Sequence, residues 1–428
     1  MYQKNQEAYI HEVKGKKVLY LPEFDLENDM VGRWRHQWPS KHLKDYGVDY
    51  KIHGAMEPII YRPTKKELES DPHRHAVEIR QDMGFNTTDN RAQDYMLKKL
   101  KPLIDEADIV VFGRTNNLFC SDAFKYAKDK GKVVGYEVDD LTFGKKGAFR
   151  KTNKPGDKSL NEYIGEHLKG ADFVTVSTNY LKKEAAKLRG SDENVYIVKN
   201  RLDLDSLEEV MPEIKKPKDD EIRIGWAGGK YHIDKLIKMK NVFLKLHKKH
   251  GNKLKFVFKG FDDSNMITEK EKAKLKEFKD IFEQNGIKYE LNPYTQAGNW
   301  KDYYRDLGDL KLDIFFAPMK SNAPHEAKSE LKYLEAAYVG APIVVPAIGG
   351  HKDAITHNEN GMLVSPEDQD RGFYKSIDDL ISDPEKRYRI AKRARKDIKD
   401  NYHVQKSSEE LVKIFAEQLR KKRGQNNG

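Results

Sequence analysis

Short apolar runs alternate with amphipathic stretches along most of this chain, the pattern of strands and helices taking turns. Lys17 to Pro22 is the first strand, and Asp49 to His53 suggests a second. Ala92 to Ala107 has the apolar spacing of an amphipathic helix. Asp108 to Gly113 and Lys132 to Val138 are continuous apolar runs of the kind found in strands buried on both faces. Ala171 to Ser177 leads into a helix from Asn179 to Leu188, and Asn194 to Val198 makes a last strand. Such alternation implies a mostly parallel, doubly wound sheet over roughly residues 15–200.

The texture changes between Lys199 and Asp220, where Pro212, Pro217 and mixed charges read as a linker. A second α/β unit opens at Glu221, with strands expected at Leu254 to Phe258, Ile287 to Leu291, Leu312 to Ala317 and Ile343 to Val345. Charged helices follow from Gln369 to Arg423, and the last is expected to cross back onto the first domain. The fold class expected is α/β, two doubly wound Rossmann-like domains. Their division is 1–205, a linker 206–220, a second domain 221–400 and a terminal helix 401–428.

Composition sets bounds on this picture. A chain of 428 residues is too long for one small core, and 38% hydrophobic residues suit a folded protein. It has no apolar run of about 18 residues and a polar N-terminus, so the expectation is a soluble, cytoplasmic protein. One cysteine, Cys120, excludes an internal disulfide framework and a cysteine-based zinc cluster. The net charge of +10 arises from 79 basic and 69 acidic residues, dense in both signs, and favours anionic ligands only weakly.

The candidate chemistry is concentrated in the second half. From Pro324 to Pro342 the chain reads as a polar loop, a helix capped by Ser329 and ending near Tyr338, and a glycine stop at Gly340. At roughly 100° per residue, Lys328, Lys332 and Glu335 share one face, beside an apolar stripe of Leu331, Leu334 and Tyr338. The face reads either as an ordinary surface ion pair or as an anion site at a helix start, completed by a carboxylate that can accept from sugar hydroxyls. Ile224 to His232 is a strand running into Gly228 and Gly229, where backbone N–H groups can approach an anion and Lys230 and His232 can add charge or donors. In the first half, Arg33, Arg35 and His36 stand among tryptophans after the first strand, Arg114 follows the Ile109 run, and Asp139 and Asp140 close another. All are candidates for the acceptor side, with one aspartate orienting an acceptor hydroxyl. No ligand cluster has metal spacing, so no metal is expected. The first strand's loop lacks the glycine fingerprint of a dinucleotide site.

These residues resemble a GT-B glycosyltransferase, more narrowly the retaining glycosyltransferase family four, also called glycosyl transferases group 1. The likeness rests on Ile224 to Gly229, Leu312 to Pro318, Lys328-Ser329 with Lys332 and Glu335, Gly340 to Val344, and Asn360 to Val364. Tyr136 to Asp140 is similar to a strand-end motif of bacterial members that build surface glycans. The resemblance implies that Glu335 binds the ribose of a nucleotide sugar, with UDP-glucose the favoured type. It implies that the glycine loop and the Ser329 helix start hold the diphosphate, while Lys230, Lys328 or Lys332 neutralise the leaving group without a metal or cofactor. The family carries two glutamates with seven residues between them, yet Ala327 stands eight positions before Glu335. Either Glu326 is presented by a shifted loop, or backbone N–H groups with Lys328 and Ser329 hold the sugar. Expected partners are the nucleotide sugar and a glycan or other hydroxyl acceptor. DNA with a modified base is the alternative acceptor, and a nucleotide-sugar epimerase or an inactive nucleotide-binding relative is the further alternative. Oligomeric state is open.

Overall fold

The first apolar run, Lys17–Pro22, forms strand β1 in the computed structural model, and its neighbours follow the alternation of the sequence. The structure describes residues 2–22, 32–54, 60–61, 77–78, 90–113, 118–145, 160–214, 216, 220–295 and 300–426. β2 is Asp49–Ile52, and Ile60–Tyr61 and Val77–Glu78 pair as an antiparallel β3 and β4. β5 (Ile109–Gly113), β6 (Val133–Val138), β7 (Phe173–Val176) and β8 (Val195–Ile197) complete a parallel sheet of order β2-β1-β5-β6-β7-β8. Every residue of β5, β6 and β7 is buried, as their unbroken apolar runs require.

The second sheet is made of β9 (Ile222–Ala227), β10 (Leu254–Lys259), β11 (Tyr289–Asn292), β12 (Ile314–Phe316), β13 (Ile343–Pro346) and β14 (Met362–Val364). Its order is β11-β10-β9-β12-β13-β14, all parallel. Sequence order reverses between β9 and β12, and an open sheet of this kind binds ligands beyond the carboxyl ends of its strands at such a reversal. Phenylalanines from β10 and the Glu269–Glu283 helix pack in this unit's core, where the Phe258 and Phe278 rings meet edge to face at 4.8 Å. The fold is therefore α/β with two Rossmann-like domains.

Two compact units divide the chain. The first holds residues 1–177, 181–198 and 407–428, and the second 178–180 and 199–406. Residues 407–426 lie in the Val404–Asn426 helix, whose Leu411, Phe415 and Leu419 join the first unit's core with Val18, Ile109 and Phe173. Residues 206–214, read from sequence as linker, are pinned to the second unit: the Tyr338 hydroxyl donates to the Val210 carbonyl at 2.7 Å and Arg395 to the Pro212 carbonyl at 3.1 Å. No helix among the described residues is long and apolar enough to cross a membrane.

Candidate functional site

Two loops leave the reversal point of the second sheet. One follows β9 through Gly228 and Gly229 into the turn Lys230–His232 and the helix Ile233–Ile237. The Gly228 N–H donates to the Lys259 carbonyl at 3.0 Å, and Gly260, at φ 116°, faces it so closely that a Cβ there would lie 1.7 Å from the Gly228 oxygen. Only glycine fits at position 260. Lys230 turns away to Glu271 (2.9 Å) and the Asn265 carbonyl (3.0 Å), while half-buried His232 faces the second loop's charges.

The other loop follows β12. Asn322 Oδ1 caps the turn Ala323–Glu326 by accepting from the His325 N–H at 3.2 Å and also stands 2.6 Å from His325 Nδ1. With Nδ1 donating there, Nε2 accepts from the Lys235 ammonium, 2.9 Å away. Glu326 accepts from Lys352 (3.0 Å) and from the Gly349 N–H (3.3 Å). Ala327 is fully buried, and its carbonyl accepts from the Thr178 hydroxyl at 3.2 Å.

The helix itself spans Leu331–Val339, with its cap one residue later than the sequence suggests. Ser329 does not cap it, because its hydroxyl accepts from the Asn200 amide at 2.8 Å; Glu330 takes the cap position without a side-chain bond. Gly340, at φ 77°, ends it as expected, with Gly340 and Ala341 N–H groups returning to the Ala337 and Ala336 carbonyls. Arg395 covers the same end, donating from Nε to the Ala337 carbonyl at 2.8 Å, and its burial lowers its pKa to about 10.

Glu335 is 7% exposed, which rules out the surface-pair reading. Its carboxylate accepts from the Tyr303 hydroxyl at 3.1 Å and from Lys332 at 2.6 Å. Burial first, then the Glu335 charge, raises the Tyr303 pKa well above the phenol range, so Tyr303 stays a donor. Lys328 is exposed and Lys332 half-buried. With Lys235 and Lys320 they form one cationic field: burial and then Lys328, Lys320 and Lys332 lower Lys235 to about 8. Burial and the same cations lower His232 and His325 to about 4, so both imidazoles are neutral at pH 7. The second unit thus gathers Glu335, Lys332, Lys328 and His232 and leaves Lys230 and Glu326 in other pairings.

In the first unit, Arg33, Arg35 and His36 were expected to line a ligand edge. They lie in a buried π-helical turn, Arg33–Gln37, at 7%, 4% and 2% exposure. Arg35 gives Nε to Glu137 on β6 at 2.5 Å and Nη1 to the Val198 carbonyl at 2.7 Å. His36 packs over Gly113 at the end of β5, where a Cβ would meet its Nε2 at 2.0 Å, and burial followed by Arg35 lowers its pKa to about 3. Asp139 and Asp140 are half-buried just past β6, where the Asp140 carbonyl accepts from the Thr142 N–H at 2.9 Å. Arg114 lies outside the described residues.

Sequence reasoning missed Lys235, His325 and Tyr303. None belongs to a spaced motif; the tertiary meeting of two loops and a helix selects them. The Lys235–His325 and Tyr303–Glu335 pairs are each separated by far more sequence than one element spans.

A model of the family described as glycosyl transferases group 1 matches residues 230–397. Residues 230–397 are thus similar to group 1 glycosyltransferases, and the two-domain α/β fold is shared with solved glycosyltransferases. Spore coat protein SA of Bacillus subtilis is 29% identical over 83 residues, 19% of this chain and 22% of that protein. An uncharacterized glycosyltransferase of Methanocaldococcus jannaschii is 33% identical over 82 residues, 19% and 21% of the two chains. The chain thus spans about a fifth of the length of the curated relatives it matches. Anabaena HepE, solved in complex with UDP and glucose, has the same fold at a TM-score of 0.60 and 12% identity, covering 94% of this chain and 100% of that one.

Proposed function

We propose that the protein is a retaining glycosyltransferase that moves a sugar from a UDP-sugar to a hydroxyl of a glycan or other cell-surface precursor. The carrying observation is Glu335: a buried carboxylate, held by Tyr303 and Lys332, at the carboxyl end of a doubly wound sheet. An oriented carboxylate in that place accepts from two vicinal ribose hydroxyls. The group 1 match over this unit and the UDP in HepE agree with that reading.

The glycine turn and the start of the Leu331–Val339 helix offer backbone N–H groups to the diphosphate, and Lys328 and Lys332 balance its charge. As the bond from the sugar's C1 to the diphosphate oxygen breaks, these cations stabilise the charge on the leaving oxygen. The acceptor oxygen bonds to C1 on the face the diphosphate leaves, and its proton passes to the departing diphosphate oxygen. The lysines supply the charge compensation that a divalent metal supplies elsewhere, and we expect full activity in the presence of a chelator.

The DNA alternative draws on the net charge of +10 and on Arg33, Arg35 and His36, and the burial of those three side chains weakens the second of these supports. Thermal melting against uridine, guanosine and adenosine diphosphates and their sugars tests the proposal, because a ligand of the folded state raises the midpoint. The uridine series is expected to stabilise; a uniform lack of response would contradict it.

A further inference from the structure

Glu330 has no task in the ribose and diphosphate contacts just described, yet its burial is costly. It stands at the cap position of the Leu331–Val339 helix, but its side chain makes no capping bond. It is 2% exposed, and its Oε1 finds no hydrogen-bond partner among the described residues. A buried carboxylate oxygen in that state lowers stability, so packing alone does not account for an acid here.

Its surroundings do. The long stretch of the second unit begins at Lys199 and ends at Lys406, and its two ends run side by side. The Leu202 N–H donates to the Tyr402 carbonyl at 2.9 Å, and the Val404 N–H to the Leu202 carbonyl at 3.1 Å. Both ends turn to the start of the helix. Asn200 donates its amide to the Ser329 hydroxyl at 2.8 Å, and the Tyr402 hydroxyl faces the Glu330 carboxylate. Burial raises the Glu330 pKa against the pull of its own N–H and of the cations Lys199 and Arg201, while Lys199 also lies over the Tyr402 ring at 5.6 Å. Burial first, then the Glu330 charge, raises the Tyr402 pKa, so its hydroxyl stays a donor. On another side is Gly350, whose N–H donates to the Lys328 carbonyl at 2.8 Å and where a Cβ would lie 2.7 Å from Glu330 Oε2. One carboxylate thus joins the segment that enters the unit, the segment that leaves it and the loop after β13, all at the first turn of the helix.

We propose that Glu330 is a positioning residue: it ties the first turn of this helix to those three segments, so that the N–H groups and lysines offered to the diphosphate keep their aim. It touches no substrate. The inference rests on the donor-site reading above, which gives the helix start to the diphosphate and Glu335 to the ribose. Without Glu330 the first turn frays, while Tyr303 at Glu335 and Arg395 at the Ala337 carbonyl still hold the rest of the helix.

Calorimetry on the whole chain with UDP and with uridine separates the two ends of the contact. Glu330→Ala is expected to weaken UDP about tenfold while uridine changes by less than about twofold, and Glu330→Gln, which keeps the shape and an acceptor for Tyr402, should recover most of the loss. Tyr402→Phe should move the ratio of UDP to uridine affinity in the same direction by a smaller factor, and it decides the matter if Glu330→Ala does not fold. A general loss of stability would weaken both ligands alike, and an effect of charge alone would tighten UDP in Glu330→Ala or make Glu330→Gln behave as Glu330→Ala. Either result, or an unchanged ratio in the variants, overturns the proposal. Failure of the wild type to bind UDP overturns instead the donor-site reading, and this inference with it.

Discussion

Glu335 shows how burial alters the meaning of a residue, since a carboxylate held by Tyr303 and Lys332 keeps one orientation before any ligand arrives. Such preorganisation lowers the ordering cost of binding. Tyr303→Phe removes one donor and should weaken nucleotide binding by roughly three- to tenfold, read by calorimetry, with the melting temperature nearly unchanged. Arg35 is the opposite case. Paired with Glu137 in the first unit's interior, it acts on stability: Arg35→Met should cost about 3–5 kcal/mol in urea unfolding, because Glu137 is left buried and charged. Loss of acceptor affinity at unchanged stability would return Arg35 to the acceptor side. Protonation sets a further expectation. His36 and His351 are buried and held near 3 and 4, below the ordinary 6.5. As pH falls from about 6.5 toward 4, the unfolded chain takes up protons that these rings refuse. Stability should therefore decline by up to about 1.4 kcal/mol per pH unit for each ring, and His36→Gln should make the decline shallower.

Elements are where loops become a site. Gly349, at φ 59°, lies under the loop that carries His325 and Lys328, and a Cβ there would meet the Lys328 carbonyl at 2.6 Å and the His325 carbonyl at 2.7 Å. Gly349→Ala should push that loop outward and lower nucleotide-sugar affinity more than affinity for the nucleotide alone, seen by titrating both. Most strands were legible in the sequence, because unbroken apolar runs such as Ile109 to Gly113 are of the kind found in strands buried on both faces. Gly340 was legible for a similar reason, being a residue suited to a left-handed helix end. Ser329 was not: its hydroxyl could cap a helix, and only the folded chain brings Asn200 to it first. Arg33, Arg35 and His36 misled for the same reason, as charge along a sequence says nothing of a buried partner such as Glu137. Lys235 and His325 became visible once two loops met at the reversal between β9 and β12.

Across the whole chain, the net charge of +10 is offset locally by many ion pairs, and the cationic field stands out at one place in the second unit. The protein is accordingly expected to pass through a DNA column at physiological salt; firm retention would revive a nucleic-acid acceptor. What ties sequence, fold and function together is the claim that the second unit holds a nucleoside diphosphate against Glu335. Calorimetric titration of UDP into the wild-type protein and a Glu335→Gln variant tests it most directly. The account predicts clear binding to the wild type and a loss of about 10- to 100-fold in the variant at unchanged melting temperature. Equal affinity in the two proteins would contradict it.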